Sequence, residues 1–140
     1  MTIRDIGLAK EKEAEQTFTE MFDTVQKSKH QDCYDFLSEI ANEKIYIEVK
    51  WRKMTHKSTL FGIQTKQFNK LIALPKVLFY FMTSKGNIFA SMDEVNKKAH
   101  LHHNKLNPTD ERIVVRVAFR NRKVVLEEPD ECQFCRGLLK

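Results

Sequence analysis

The chain has 140 residues, of which 41% are hydrophobic and 31% charged, with 4 Gly and 3 Pro. This profile predicts a single domain, residues 1–140, and argues against long disordered tracts. Residues 2–20 are charged throughout and no apolar run is long enough to cross a bilayer. We therefore expect no signal peptide, no membrane segment and a cytoplasmic or otherwise intracellular location. The net charge of +5 favours a polyanionic partner.

The first part of the chain predicts a helix followed by a strand hairpin. In residues 9–25, apolar side chains recur at three- and four-residue spacing, as on the buried side of a helix. Residues 34–40 and 45–50 alternate apolar and polar side chains, which is typical of strands. The polar residues 41–44 suit the turn between these two strands.

The predicted hairpin brings three charged side chains together. Glu48 and Lys50 are two residues apart on one strand, so they point to the same face. A turn with an even number of residues places Asp35 on that face, opposite Glu48 or Lys50, whereas a three-residue turn would not. Burying such a cluster is costly unless its members serve each other or a ligand. We predict a site here; the alternative is an ion-pair cluster on an exposed sheet face.

The middle of the chain predicts a loop, a helix and a buried strand. The basic residues 51–59 are interpreted as a loop beside the cluster, suited either to phosphate contact or simply to solvent. Residues 62–74 predict a helix that Pro75 ends. The nearly continuous apolar run at residues 76–83 predicts a central strand that is buried on both faces.

The last part predicts a turn at Gly86-Asn87, a short strand at residues 88–91 and a helix that Ser91 caps. We expect the tail of that helix to carry Lys97, Lys98 and three histidines. Residues 112–119 and 123–126 then predict a final hairpin. The order of elements gives an α/β fold in which helices flank a mixed central β-sheet.

Three cysteines, Cys33, Cys132 and Cys135, do not form the even set of a secreted disulfide framework. Cys132 and Cys135 have the spacing of half a zinc site, and His100, His102 or His103 would have to complete it. Because a second complete pair is missing, we do not expect structural Zn²⁺ there. Two reduced thiols, or a disulfide in a hyperthermophile, are the alternatives.

These residues resemble a known nuclease superfamily. Asp35 followed by Glu48-Val49-Lys50 is similar to the acidic residue plus Glu-x-Lys motif of the PD-(D/E)xK nucleases. Ala14-Glu15 on the first helix and the segment at residues 63–67 resemble motifs of archaeal-type Holliday junction resolvases. Gln67 matches the family glutamine, whereas Gln64 stands in place of the family serine and Tyr34 in place of the family proline. The resemblance covers roughly residues 10–81.

The resemblance implies a restriction-endonuclease-like fold and a Mg²⁺-dependent endonuclease, with Mn²⁺ as an alternative metal. Asp35, Glu48 and the Val49 carbonyl would bind the metal, and Lys50 would orient or deprotonate the attacking water. Glu15 would support the metal through water and Gln67 would position the scissile phosphate. The motif-bearing core would cover about residues 9–91, with the C-terminal helix and hairpin at 92–128.

The expected activity is hydrolysis of phosphodiester bonds in DNA, most specifically by a homodimeric resolvase that acts on branched DNA. The expected phosphate contacts come from five basic side chains: Arg52, Lys53, Lys57, Lys66 and Lys70. One alternative is a restriction, repair or end-processing nuclease of the same fold. Another is a DNA-binding module without catalytic activity.

Overall fold

The computed structural model describes residues 2–29, 32–103 and 111–129. In this part of the chain, three helices and nine strands form a mixed α/β domain. In chain order they are α1 (Ile3–Met21), β1 (Thr24–Lys27), β2 (Phe36–Ile40), β3 (Glu43–Arg52), β4 (Ser58–Gln64), α2 (Thr65–Ile72), β5 (Val77–Thr83), β6 (Gly86–Ser91), α3 (Met92–Lys98), β7 (His100–His103), β8 (Glu111–Arg120) and β9 (Lys123–Glu127).

Helix α1 begins earlier and ends earlier than its apolar pattern predicts. Thr2 and Asp5 form a capping box, which satisfies backbone N–H groups at the first turn and sets the start of the helix at Ile3. The predicted extension to Val25 is wrong, because Val25 lies in β1 and pairs with Ser38 of β2. Phe18 is fully buried on α1 and packs edge-on against Phe36.

The predicted hairpin is confirmed, and its register is the one of the two expected that places residue 35 opposite residue 48; β2 begins at Phe36 instead of residue 34, and residues 43–44 belong to β3 instead of the turn. Strands β2 and β3 pair antiparallel with Phe36 opposite Ile47, and their two-residue turn is formed by Ala41 and Asn42. Both turn residues have positive φ, 51° and 66°, as the type I′ turn of a hairpin requires. The even-numbered turn therefore places Ile45 and Ile47 on the buried face beneath α1.

Strand β5 is the predicted central strand and is buried along nearly its whole length. It pairs parallel with β3 and antiparallel with β6, so the five-stranded mixed sheet has the order β1-β2-β3-β5-β6. The turn before β6 is formed by Ser84 and Lys85, two residues before the predicted Gly86-Asn87. Helix α3 begins at Met92 behind a capping box of Ser91 and Glu94, as expected for its start.

A second, antiparallel sheet corrects three expectations at once. Strand β4 pairs with β8 over residues 58–64, so residues 58–59 are not loop and residues 62–64 are not helix. Residues 51–52 belong to β3, which leaves a loop of residues 53–57. His100 and His102 lie in β7, not on the tail of α3. Strands β7 and β9 pair with β8, and the predicted β8–β9 hairpin is confirmed.

Two apolar clusters hold these layers together. One lies between α1 and the five-stranded sheet and is centred on Phe18, Phe36 and Ile47. The other lies between the two sheets and α2, where Phe61 and Phe81 pack with their ring centroids 4.8 Å apart. Both faces of the five-stranded sheet are therefore covered. Among the described residues, no helix combines the length and apolar character needed to span a membrane.

Candidate active site

Strand β3 carries Glu48 and Lys50 on the face that looks toward the second sheet. Their partners across the parallel ladder are Phe79 and Phe81, which belong to the apolar cluster between the sheets. The charged pair thus continues a buried apolar face instead of lying on an exposed one, and Glu48 is only 4% exposed. Burial of a carboxylate in such a place carries a desolvation cost that nearby groups must offset.

Asp35 lies directly before β2, and the register of the hairpin places it next to Glu48. Its main-chain N–H donates to the Ile47 carbonyl at 2.9 Å, which continues the ladder by one residue. Its Oδ2 accepts a hydrogen bond from the Val49 N–H at 2.7 Å. The carboxylate is therefore fixed against the middle of β3, on the face that the sequence predicts.

Lys50 and Gln67 complete a connected polar cluster with Glu48. The Lys50 Nζ lies 3.6 Å from Glu48 Oε2 and donates to Gln67 Oε1 at 3.4 Å. The Gln67 Nε2 donates to Glu48 Oε2 and also to the Cys33 carbonyl, the latter at 2.9 Å. Helix α2 thus brings Gln67 across from the second layer, and the four predicted residues Asp35, Glu48, Lys50 and Gln67 meet at one place.

The electrostatics of the cluster are those of two carboxylates with too little compensating charge. Burial, together with the hydrogen bond and charge of Asp35, raises the pKa of Glu48 to about 9. Lys50 and Gln67 lower this pKa, but their effect is smaller than the combined effect of burial and Asp35. At neutral pH, Glu48 therefore retains a proton. A cation that binds between the two carboxylates would replace that proton.

The donor set suits a hard divalent cation. Asp35 and Glu48 offer carboxylate oxygens, and the residue after Glu48 offers the Val49 carbonyl that the resemblance implies. Mg²⁺ keeps several of its waters and binds through few protein carboxylates, so two are sufficient. Within residues 2–29, 32–103 and 111–129, no three or more His, Cys, Asp or Glu side chains form a group that could hold a metal ion.

Helix α1 presents Glu11 to the site, a residue that the sequence motif does not single out. The negative charge of Asp35 contributes to the raised pKa of Glu11, after desolvation, whereas Lys27, 3.8 Å away, lowers it. The predicted Glu15 lies one turn further along and lines a shallow cavity with Gln16, Thr19 and Glu20. Glu11 and Glu15 are four residues apart, so they lie on the same side of the helix. This spacing is the sequence feature that could have identified Glu11 as a second candidate.

The five predicted phosphate-contacting residues are all exposed and lie in two groups. Arg52 ends β3, and Lys53 and Lys57 lie in the loop that follows it. Lys66 and Lys70 lie on α2 and line a cavity of about 250 Å³ together with Asp32, Cys33, Gln64 and Gln67. Because Gln67 contacts Glu48, this cavity borders the carboxylate cluster.

The zinc hypothesis falls largely outside the described residues, which do not include Cys132 and Cys135. His100 lies in β7 with its Nε2 3.8 Å from a Glu128 carboxylate oxygen. The functional inference therefore concerns the cluster of Asp35, Glu48, Lys50 and Gln67. No protein-family model matches the chain, and a search of curated proteins gives no significant match.

Proposed function

We propose that this chain is a metal-dependent endonuclease that hydrolyses phosphodiester bonds in DNA at a site of the PD-(D/E)xK type. One observation carries the proposal: hydrogen bonds and an ion pair join Lys50 and Gln67 to the buried carboxyl group of Glu48, and Asp35, held by the Val49 N–H, lies close enough to raise the pKa of Glu48. Strand β3 carries Glu48 and Lys50, helix α2 carries Gln67, and Asp35 directly precedes β2. Each of these residues has the chemical type that phosphodiester hydrolysis requires.

The charge balance of the cluster argues for a ligand and against a purely structural ion pair. A structural pair would match one carboxylate with one ammonium and keep both ionised. Here two carboxylates face one lysine, and the pKa of Glu48 is raised to about 9. A divalent cation bound between the two carboxylates would relieve this imbalance by replacing the proton.

The residues divide the chemistry among them. Asp35, Glu48 and the Val49 carbonyl would hold Mg²⁺, or alternatively Mn²⁺. When bound, the ion neutralises charge on the phosphate and lowers the pKa of water at the site. Lys50, whose ammonium lies beside Glu48, is placed to orient or deprotonate the attacking water and to offset developing negative charge. Gln67 holds the Glu48 carboxylate in place and is positioned to contact the scissile phosphate.

We further propose that the domain has a restriction-endonuclease-like fold and that the enzyme is a Holliday junction resolvase. The order of α1, the β2–β3 hairpin, α2 and the parallel strand β5 supports the fold assignment. The resolvase assignment rests on the resemblance at Glu15 and at residues 63–67. In the structure residues 63–64 end β4 and residues 65–67 begin α2. The alternatives remain a restriction, repair or end-processing nuclease, or a DNA-binding module without catalysis.

Cleavage of matched substrates separates these possibilities. A labelled four-way junction, a linear duplex, a nicked duplex and a flap, each built from the same strands, are incubated with the protein and Mg²⁺. A resolvase should cut the junction at two symmetric positions and leave the linear duplex intact. Preference for another substrate would favour the alternative nucleases, and binding without any cleavage would favour the DNA-binding module.

A resolvase should also be a dimer, because paired cuts on a junction need two active sites related by a two-fold axis. We expect a stable homodimer, joined through an apolar strand or helix surface, with both sites on one side of the assembly. Light scattering on the free protein and on its complex with a four-way junction measures this directly. A monomer in both samples would contradict the resolvase assignment but would leave the chemistry of the site untouched.

A further inference from the structure

The middle of the chain has an extreme charge distribution. Residues 49–92 contain no Asp or Glu and eight basic residues, namely Lys50, Arg52, Lys53, Lys57, Lys66, Lys70, Lys76 and Lys85. The segment begins directly after Glu48 and supplies the second half of β3, β4, α2, β5 and β6. The segment therefore has a net charge of +8, whereas the rest of the chain, with 16 basic and 19 acidic residues, has a net charge of −3.

One group of these cations forms a ridge beyond the end of β3, defined by Arg52, Lys53, Lys57 and Lys85. Arg52 points to the same face of the strand as Glu48 and Lys50, because the three residues are spaced two apart along it. Four residues of strand span about 13 Å, which corresponds to about four base pairs of duplex DNA at 3.4 Å each. Arg52, the first residue of the ridge, therefore lies at a defined distance from the site and on the same side of the sheet.

Hydrogen bonds from two other segments fix the loop that carries the ridge. Met54 is buried, and the Ser84 side chain bonds to its main-chain N–H and carbonyl at 3.0 and 3.3 Å. The Lys57 carbonyl accepts from the Phe119 N–H at 2.7 Å. Lys85 donates to the His56 carbonyl at 3.0 Å. A loop held at these points presents its cations in a fixed arrangement, which lowers the entropy cost of binding.

The position and chemistry of the ridge indicate its partner. The second cationic group, Lys66 and Lys70, lies beyond the other end of β4, whose seven residues span about 20 Å. An isolated phosphate cannot reach both groups, whereas a stiff duplex can. The aromatic side chains beside the ridge, Trp51 and Phe119, pack against the two apolar clusters, and Lys85 lies over the Phe119 ring. They are therefore not laid out as a platform on which the bases of a single strand could stack.

We propose that this ridge binds the backbone of a duplex DNA arm about four base pairs from the scissile phosphate, and that Lys85 serves it by adding charge and by holding the loop. The location of the scissile phosphate rests on the nuclease function proposed above, whereas duplex binding by the ridge does not. The inference adds a contact surface and a minimum arm length to the site.

Salt dependence of binding tests the ridge without requiring cleavage. The probe is a fluorescein-labelled 30-base-pair duplex in Ca²⁺ buffer, titrated at several salt concentrations. The double variant Lys53→Ala/Lys57→Ala should weaken binding roughly ten- to hundredfold at moderate salt and reduce the log–log salt slope by roughly two. Lys85→Gln should reduce the slope by roughly one.

A matched control removes the same charge elsewhere. Lys44→Ala/Lys76→Ala also deletes two exposed lysines, but Lys76 starts β5 and pairs with Glu43 at 2.9 Å, at the end of the sheet away from the ridge. Its salt slope should equal that of the parent protein. Equal slopes for ridge and control variants would overturn the proposal. So would ridge variants that lose binding to anionic vesicles or to a single strand while duplex binding is unchanged.

The length of the arm provides the second test and links the ridge to the site. Once the cut position is mapped, one duplex arm is shortened to three base pairs and closed by a tetraloop, which keeps the short arm paired. The parent protein should then cleave as slowly as the ridge variant does on the full substrate. If the parent protein cleaves no DNA, yet its salt slope still depends on the ridge residues, the proposed nuclease function is wrong and the proposed role of the ridge is supported. If the protein cleaves DNA, and neither arm length nor the ridge residues affect cleavage or the salt slope, the proposed role of the ridge is wrong and the nuclease function is supported.

Discussion

Glu48→Ala should reduce DNA cleavage by about three orders of magnitude or more, equivalent to about 4 kcal/mol of activation free energy, while duplex binding stays nearly unchanged. The carboxylate is the most buried member of the cluster and contacts both Lys50 and Gln67. Its loss removes a metal ligand and releases the two side chains that it orients. Affinity comes mainly from phosphate contacts, which this substitution does not touch.

The neighbouring residues give a graded series that a general loss of folding could not produce. Lys50→Ala should also cost several orders of magnitude in rate, because the ammonium acts on the reacting groups. Gln67→Ala should cost less, since Gln67 positions other groups. The measurement is a single-turnover time course with Mg²⁺ for each variant, with circular dichroism to check the fold and duplex binding measured in Ca²⁺. Full activity in folded Glu48→Ala would place the nuclease site elsewhere.

Glu48→Gln should stabilise the fold at alkaline pH. The folded protein holds a proton on Glu48 up to a pKa of about 9, whereas the unfolded chain releases it near the ordinary value of 4.5. Stability from this group is therefore complete below 4.5 and is lost as the pH rises toward 9, at up to about 1.4 kcal/mol per pH unit. Glutamine is neutral throughout and has nearly the same shape, so it avoids this loss.

The expected difference in the free energy of unfolding is near zero at pH 4 and roughly 2–5 kcal/mol in favour of Glu48→Gln at pH 8. Urea unfolding of both proteins across this range measures it, and taking the difference removes the contribution of the other titrating groups. Added Mg²⁺ should narrow the gap at pH 8 by stabilising the parent protein alone. A difference that does not change with pH would mean that Glu48 is not held protonated.

The core of the site could be predicted because strand geometry leaves few choices. A side chain on a strand can point to only one of two faces. The turn of two residues, Ala41 and Asn42, selects the register in which Asp35 lies opposite Glu48. The contact of Gln67 with Glu48 could not be derived in this way. It depends on α2 crossing from the second layer, and only the resemblance to a nuclease motif suggested it.

The errors have identifiable physical causes. Residues 62–64 carry a short apolar pattern that suits either a helix or a strand, and pairing with β8, about 50 residues later in the chain, decides for the strand. The start of α1 was set by a capping box at Thr2 and Asp5 that apolar spacing alone does not reveal. Glu11 was missed because the motif pointed to Glu15, although the two lie on the same side of the helix.

The most direct test of the central claim compares the parent protein with Asp35→Asn on a labelled four-way junction, in Mg²⁺ and in EDTA. The substitution keeps the shape of Asp35 and a side-chain oxygen that can accept from the Val49 N–H, but it removes the charge of a metal ligand. Our account predicts cleavage only by the parent protein and only with Mg²⁺, with equal junction binding by both proteins in Ca²⁺. Equal cleavage by Asp35→Asn, or cleavage by the parent protein in EDTA, would contradict a metal-dependent site at Asp35 and Glu48.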